Sequence, residues 1–253
     1  MATRKNNTYK YETGKTFKLS RSGIDSFIKC QRCFYLNKVG NIKDIGMPAF
    51  SLNSNHDDLM KKELDIYRKK GEAHPYMESL DRNLIPFQHE NMEDWRNNFK
   101  GITYHHKKTD LIITGAIDDV WIDTDTNELV IVEYKSTSTQ SEIDLNDGTP
   151  WKEQYKRQID IYQWLFKMNG FPVADDSVFL YSNGLKTSRK FNDVMKFKTY
   201  VLEYKGSTEW VEEKIHEIKK VLDGKYIPEI KEECETCSYI VSVKEFDELS
   251  NTD

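Results

Sequence analysis

No stretch of this 253-residue sequence approaches the roughly 18 consecutive apolar residues that a membrane-crossing helix needs, and the N-terminus lacks the apolar run of a secretory signal. Both absences lead to the expectation of a cytoplasmic protein with no membrane partner. An excess of positive charge is missing too. The formal net charge is −5, so the surface as a whole repels a polyanion, and contact with nucleic acid has to come from a local basic patch or from bound cations. One such patch is legible at the start of the chain, where Arg4, Lys5, Lys10, Lys15, Lys18 and Arg21 face only Glu12. Residues 1–19 are therefore expected to be a basic arm, either tracking phosphates or solvated and flexible. Internal repeats, low-complexity tracts and clear linkers are absent. Cysteine is scarce, at four residues, and in a reducing compartment clustered cysteines are metal ligands more often than disulfides.

With 38% hydrophobic residues, the chain is long enough for one large core, and residues 20–253 are expected to form a single domain. Ser20 or Ser22 is placed to cap a helix through Ile24, Phe27, Ile28, Phe34 and Leu36. A second helix is predicted from Asn53 or Ser54 through Leu59, Glu63, Ile66 and Tyr67 to a stop at Gly71, and a shorter one over residues 92–99. From Ile102 the pattern turns β-rich, with runs over 102–106, 111–123 and 128–136. Thr149 and Pro150 suit the start of a long amphipathic helix over 151–169, closed by Gly170. Strands follow over 177–182 and 197–204, then a last helix, capped by Ser207, ending near Leu222; a tail after Pro228 carries the final cysteines.

The most informative stretch is Gly115-Ala116-Ile117-Asp118-Asp119-Val120-Trp121, followed after a turn by Leu129-Val130-Ile131-Val132-Glu133-Tyr134-Lys135. A hairpin centred between Asp125 and Thr126 sets Asp118 opposite Glu133, and strand alternation puts Lys135 on the same face. Two opposed carboxylates repel unless a cation or a proton lies between them. A divalent ion satisfies that demand: carboxylate oxygens and the Tyr134 carbonyl suit Mg²⁺ or Mn²⁺, and Lys135 beside the ion can orient or deprotonate an attacking water. The pattern fits metal-assisted phosphodiester hydrolysis; the competing reading is an ordinary amphipathic hairpin with a solvated acidic face.

Gly115-x-x-Asp118 with Ile131-Val132-Glu133-Tyr134-Lys135 resembles the second and third motifs of RecB-like nucleases of the PD-(D/E)XK superfamily. Gln158-x-x-x-Tyr162 resembles the Q-x-x-x-Y signature that follows the catalytic Lys in the RecB, AddB and CRISPR-associated exonuclease branches. The resemblance implies a restriction-endonuclease-like α/β fold with a central mixed sheet flanked by helices. It also implies metal ligation by Asp118 and Glu133, a catalytic Lys135, and Gln158 and Tyr162 supporting the site or contacting substrate. A further metal ligand is expected from the helix before the hairpin, where His56 and Asp57 are the candidates and Glu63 is more remote. The branch further implies an exonuclease on single-stranded or frayed DNA ends. No P-loop is present, so unwinding would need a separate helicase or nuclease-complex partner.

The four cysteines form two C-x-x-C pairs, Cys30/Cys33 and Cys234/Cys237, at opposite ends of the chain. Together they can supply a tetrahedral thiolate site for Zn²⁺ or hold a [4Fe-4S] cluster, clipping the terminal segments together. The segment Cys30-Gln31-Arg32-Cys33-Phe34-Tyr35-Leu36 is similar to the cluster-binding Cys-Pro-Arg-x-Phe-x-Leu of those nuclease branches, which favours the iron-sulfur expectation, although their split of ligands is one plus three. Two other functions stay open at this stage: a non-cleaving nucleic-acid-binding module, and a cysteine-metal interaction protein with a merely acidic surface.

Overall fold

A computed structural model describes residues 8–11, 15–43, 51–187 and 189–250. Most of the basic arm, including Arg4, Lys5 and Glu12, lies outside the described residues. In chain order the elements are β1 (Phe17–Ser20), α1 (Arg21–Lys29), α2 (Gln31–Lys38), α3 (Ser51–Lys70), β2 (Leu84–Pro86), α4 (Met92–Arg96), β3 (Ile102–His106), β4 (Leu111–Gly115), β5 (Asp119–Asp123), β6 (Leu129–Thr137), α5 (Pro150–Met168), β7 (Asp176–Gly184), β8 (Phe197–Lys205), α6 (Glu209–Leu222) and α7 (Glu235–Ser250). The chain divides into two compact units.

The larger unit, residues 49–104 and 114–211, is built on a mixed sheet of order β2-β5-β6-β7-β8. Only β6 and β7 run parallel, and α5 makes the crossover that a parallel pair requires. Alternation along β6 sorts its two faces. Val130, Val132 and Tyr134 pack with Trp121, Val178 and Leu180 against Met60 and Leu64 of α3. On the opposite face Phe179 and Tyr181 of β7 pack with Ile159 of α5. Each such apolar side chain, fully buried, contributes about 1.5–3 kcal/mol. The β5–β6 ladder pairs Asp119 with Val132 and Ile122 with Leu129, the register of a hairpin centred between Asp125 and Thr126. Pro150 at the first turn of α5, and Gly170 at φ +87° just beyond it, bound that helix as their chemistry dictates.

The smaller unit, residues 1–48, 105–113 and 212–253, brings Cys30 and Cys33 together with Cys234 and Cys237. Its strand β1 belongs to a three-stranded sheet of order β1-β4-β3.

Two expectations are corrected and two details added. The predicted helix through Leu36 breaks at Cys30, whose extended backbone (φ −158°, ψ 110°) ends α1, while its thiol caps α2 by accepting from the Cys33 N–H. The predicted run 111–123 is two strands in different sheets, separated by residues 116–118. In α3 the buried residues include Met60 and Leu64, while Leu59 and Ile66 are more than half exposed. The tail after Pro228 contains a full helix, α7.

Candidate active site

The break between β4 and β5 builds the site. Its backbone polar groups have left the ladder and need other partners. The Ile117 N–H donates to the Trp95 carbonyl at 3.1 Å, the Ala116 carbonyl accepts from the Tyr162 hydroxyl at 2.5 Å, and the Asp118 carbonyl accepts from Arg96 Nε at 3.1 Å. Gly115 is there because the Tyr162 ring leaves no room for a side chain: a Cβ would lie 2.5 Å from Tyr162 Cε1. Asp118 thus sits in the bend, one residue before the ladder, rather than as a strand partner of Glu133. Its Oδ2 still reaches across to accept from the Tyr134 N–H at 2.9 Å, between Glu133 and Lys135.

Glu133 and Lys135 share a face of β6, as alternation requires, and Lys135 Nζ donates to Glu133 Oε1 at 2.6 Å. Gln158 Nε2 on α5 also donates to Glu133 Oε1, at 2.7 Å, while Gln158 Oε1 accepts from Lys135 at 3.3 Å. One helical turn on, the Tyr162 hydroxyl accepts from Gln158 Nε2 at 3.0 Å. The Glu133 carboxylate, only 3% exposed, is thereby held by an ammonium group and an amide, and Lys135 is held further over the Tyr155 ring at 4.1 Å.

From α3, Lys61 pairs with Asp57 at 2.7 Å and with Asp118 at 3.6 Å. Burial and the neighbouring Asp118 charge push the Asp57 carboxyl above its usual pKa. For Lys61, burial works to lower the pKa, and Asp118 and Asp57 more than reverse it. His56 does not join this group; its ring lies against Phe197 at 5.5 Å. Glu63 pairs with His74 at 3.0 Å, away from the site.

Behind the site lies a charged network that sequence reasoning missed. Asp119, fully buried, accepts from Arg68, from Arg96 at 3.0 Å, from the Tyr134 hydroxyl at 2.7 Å and from the Val120 N–H at 2.8 Å. Arg96 also grips both oxygens of Asp65 at 2.9 Å. Burial opposes the Arg96 charge, and Asp119 and Asp65 override it, so its pKa is raised. Burial and Asp119 likewise hold the Tyr134 phenol well above its ordinary value. A signal for this network was present: Asp57, Lys61, Asp65 and Arg68 follow helical spacing and form one charged stripe on α3.

The inner donor set is three carboxylates, Asp57, Asp118 and Glu133, against two ammonium groups, Lys61 and Lys135. Hard oxygen donors with a surplus of negative charge suit a Mg²⁺ or Mn²⁺ ion. These three are not among the described groups whose ligand atoms all lie within 4.8 Å of one another; those are the four cysteines and a His106, Glu212 and His216 set. In the latter, Glu212 already pairs with His106 at 3.0 Å and with Lys108 at 3.1 Å.

The cysteine sulfurs lie 3.6 Å (Cys33 to Cys234) and 3.7 Å (Cys30 and Cys33 to Cys237) apart. Burial and the adjoining thiols push the Cys33 thiol far up, so four thiolates cannot coexist here without a cation to share them. Arg32, between the first pair, donates to the Pro228 carbonyl at 2.9 Å and ties the two C-x-x-C segments together.

A mixed five-stranded sheet flanked by helices, with Glu-x-Lys on a central strand and an aspartate in the bend before its neighbour, defines a restriction-endonuclease-like fold carrying an acid–lysine cluster. The chain belongs to the PD-(D/E)XK nuclease superfamily, whose family model matches residues 18–242. Membership supports a nuclease whose substrate is nucleic acid. Among solved structures it is similar to a Eubacterium rectale protein named "Putative exonuclease", with 15% identity, a TM-score of 0.45, and 94% of this chain and 93% of the other covered. No curated protein matches it. No helix among the described residues is long and apolar enough to cross a membrane.

Proposed function

We propose that the protein is a divalent-metal-dependent DNA nuclease that hydrolyses phosphodiester bonds, acting as an exonuclease on single-stranded or frayed ends. The observation that carries this reading is the hydrogen-bonded chain from Lys135 through Glu133 and Gln158 to Tyr162, with Asp118 and Asp57 beside it. Asp118, Glu133 and the Tyr134 carbonyl would hold Mg²⁺ or Mn²⁺, with Asp57 rather than His56 completing the set, because Lys61 links Asp57 to Asp118. When bound, such an ion supplies a lowered pKa for water and positive charge at the phosphate. Lys135, held by Glu133 Oε1 and Gln158 Oε1, presents its ammonium group where it can orient water and take up or release a proton. Gln158 fixes the rotamer of Glu133, and Tyr162 anchors Gln158 to the backbone at Ala116. Arg96 fixes the Asp118 backbone from below.

At the cysteines we propose a single tetrahedral Zn²⁺ in preference to [4Fe-4S]. Thiolates about 2.3 Å from a central zinc stand about 3.8 Å from one another, close to the 3.6–3.7 Å found. A four-iron cluster binds one thiolate per iron and needs a wider cage. The purified protein should be colourless, and a brown chromophore would overturn the assignment.

The nuclease reading is tested by incubating the protein with end-labelled single- and double-stranded DNA and with circular DNA in Mn²⁺. Wild type should shorten linear single strands stepwise and spare circles, and Lys135→Ala should leave both substrates intact. Cutting of circles would contradict the exonuclease mode, and cleavage undiminished in Lys135→Ala would contradict the site.

A further inference from the structure

The hairpin joining β7 to β8 has no part in the chemistry above. Residues 185–198 carry Lys186, Arg189, Lys190, Lys196 and Lys198 against a single carboxylate, Asp193, in a chain of net charge −5. Every described residue of this segment is exposed, and among the described residues none of these cations is in an ion pair. Interleaved with them are apolar side chains that a hairpin tip normally avoids: Phe191 is 65% exposed, and Val194, Met195 and Phe197 are also open to solvent. The tip is a defined turn. Asn192 and Asp193 have φ of 46° and 57°, and the Val194 N–H donates to the Phe191 carbonyl at 3.1 Å, so Phe191 and Val194 flank a tight reversal.

Position gives this hairpin its meaning. In the parallel β6–β7 pair Lys135 stands opposite Tyr181, and the chain leaves β7 at Gly184, three residues further, about 10 Å along the strand. The hairpin therefore rises from the same end of the sheet as the acid–lysine cluster. Its base touches the other wall of the site, because the Phe197 ring contacts His56, the residue before Asp57.

We infer that the β7–β8 hairpin is a binding surface for single-stranded nucleic acid, guiding the strand towards the acid–lysine cluster. Lysine and arginine on the hairpin meet phosphates, and the faces of Phe191 and Phe197 receive unpaired bases, which a duplex keeps stacked inside. The alternation of cation and exposed ring is what a flexible strand needs and what a closed duplex cannot use. His56 then acts as a packing residue that seats the hairpin against α3. The inference rests on the nuclease reading only for where the bound strand is delivered.

The test measures binding of fluorescent oligothymidylate to the full chain in EDTA, so that hydrolysis does not intervene. Reversing the charges with Lys186→Glu, Arg189→Glu and Lys190→Glu together should weaken binding at least tenfold and reduce the salt dependence of log K by about 2, near 0.7 for each phosphate no longer neutralised. Phe191→Ala should weaken single-strand binding about fivefold or more, with a smaller effect on duplex. Lys244→Glu, an exposed charge reversal on α7, should leave binding as in wild type. Unchanged oligonucleotide affinity in both hairpin variants overturns the inference, as does a wild type that binds no oligonucleotide. A loss confined to phosphatidylserine vesicles overturns it in favour of a membrane-facing hairpin. If the variants lose affinity while wild type fails to cut DNA in Mn²⁺, the hairpin assignment stands and the nuclease reading falls. If wild type cuts and the variants bind normally, the reverse holds.

Discussion

Replacing Asp119 with alanine should destabilise the larger unit by about 3–5 kcal/mol, the range for breaking one side of a buried ion pair. The magnitude follows from what each partner keeps. Arg68 loses its buried carboxylate but retains Asp65 at 2.9 Å and the Val120 carbonyl at 3.4 Å. Arg96 keeps its two bonds to Asp65 and its bond to the Asp118 carbonyl. Two guanidinium groups then share one carboxylate that is 28% exposed, and the Tyr134 hydroxyl, buried, loses its acceptor, itself a cost of about 1–3 kcal/mol. These losses overlap and do not add. Tyr134→Phe removes only the hydroxyl and should cost about 1–3 kcal/mol. Urea unfolding read by tryptophan fluorescence isolates the effect, because Trp95, Trp121, Trp151, Trp164 and Trp210 all lie in the larger unit. A loss below about 1 kcal/mol for Asp119→Ala, the scale of an exposed pair, would mean that the buried network does not stabilise the fold.

Gly115→Ala should force the buried Tyr162 ring aside, costing about 1–3 kcal/mol by overpacking, and it should lower cleavage as the bonds of Tyr162 to Ala116 and Gln158 are lost; melting and activity assays check both. Acid should unfold the larger unit. Burial works against the Asp65 charge, but Arg68 and Arg96 hold its carboxyl below the usual range, and Arg82 with two backbone N–H groups does the same for Asp123. With folded-state pKa values depressed, this stability is full above the unfolded value near 3.9 and is lost as pH falls through the folded values, which denaturant midpoints between pH 5 and 2 would trace. If the proposed metal sits at the cysteines, a chelator, or Cys30→Ser, should lower the melting temperature of the smaller unit, since the four sulfurs come from segments about 200 residues apart in sequence; an unchanged melting curve would argue against a structural metal there.

The hairpin was legible because strand alternation and turn chemistry are local: Asp125, Thr126 and Asn127 fix the reversal, and from it the pairing of Asp119 with Val132 follows. Gln158 and Tyr162 were equally legible, one turn apart on α5. The break between Gly115 and Asp119 was not, because Ala116 and Ile117 have strand propensity, and what removes them from the ladder is Tyr162, Trp95 and Arg96, all distant in sequence. The buried face of α3 was not legible for a related reason. Apolar residues lie on more than one side of the helix, and burial follows Met60 and Leu64 rather than Leu59 and Ile66, which lets Asp57, Lys61, Asp65 and Arg68 reach the site and its support. At Cys30 an apolar pattern that runs on unbroken hid a change of direction demanded by the cysteine cluster. That Asp57 pairs with Lys61 while the His56 ring lies against Phe197 is likewise something spacing alone does not carry.

In the proposed site Asp57, Asp118 and Glu133 hold a divalent cation beside Lys135. Equilibrium Mn²⁺ binding, followed by loss of the free-ion paramagnetic signal, tests it directly on wild type and Glu133→Gln. Wild type should bind Mn²⁺ saturably and Glu133→Gln should lose tenfold or more in affinity; equal Mn²⁺ affinity in the two folded proteins would rule this site out.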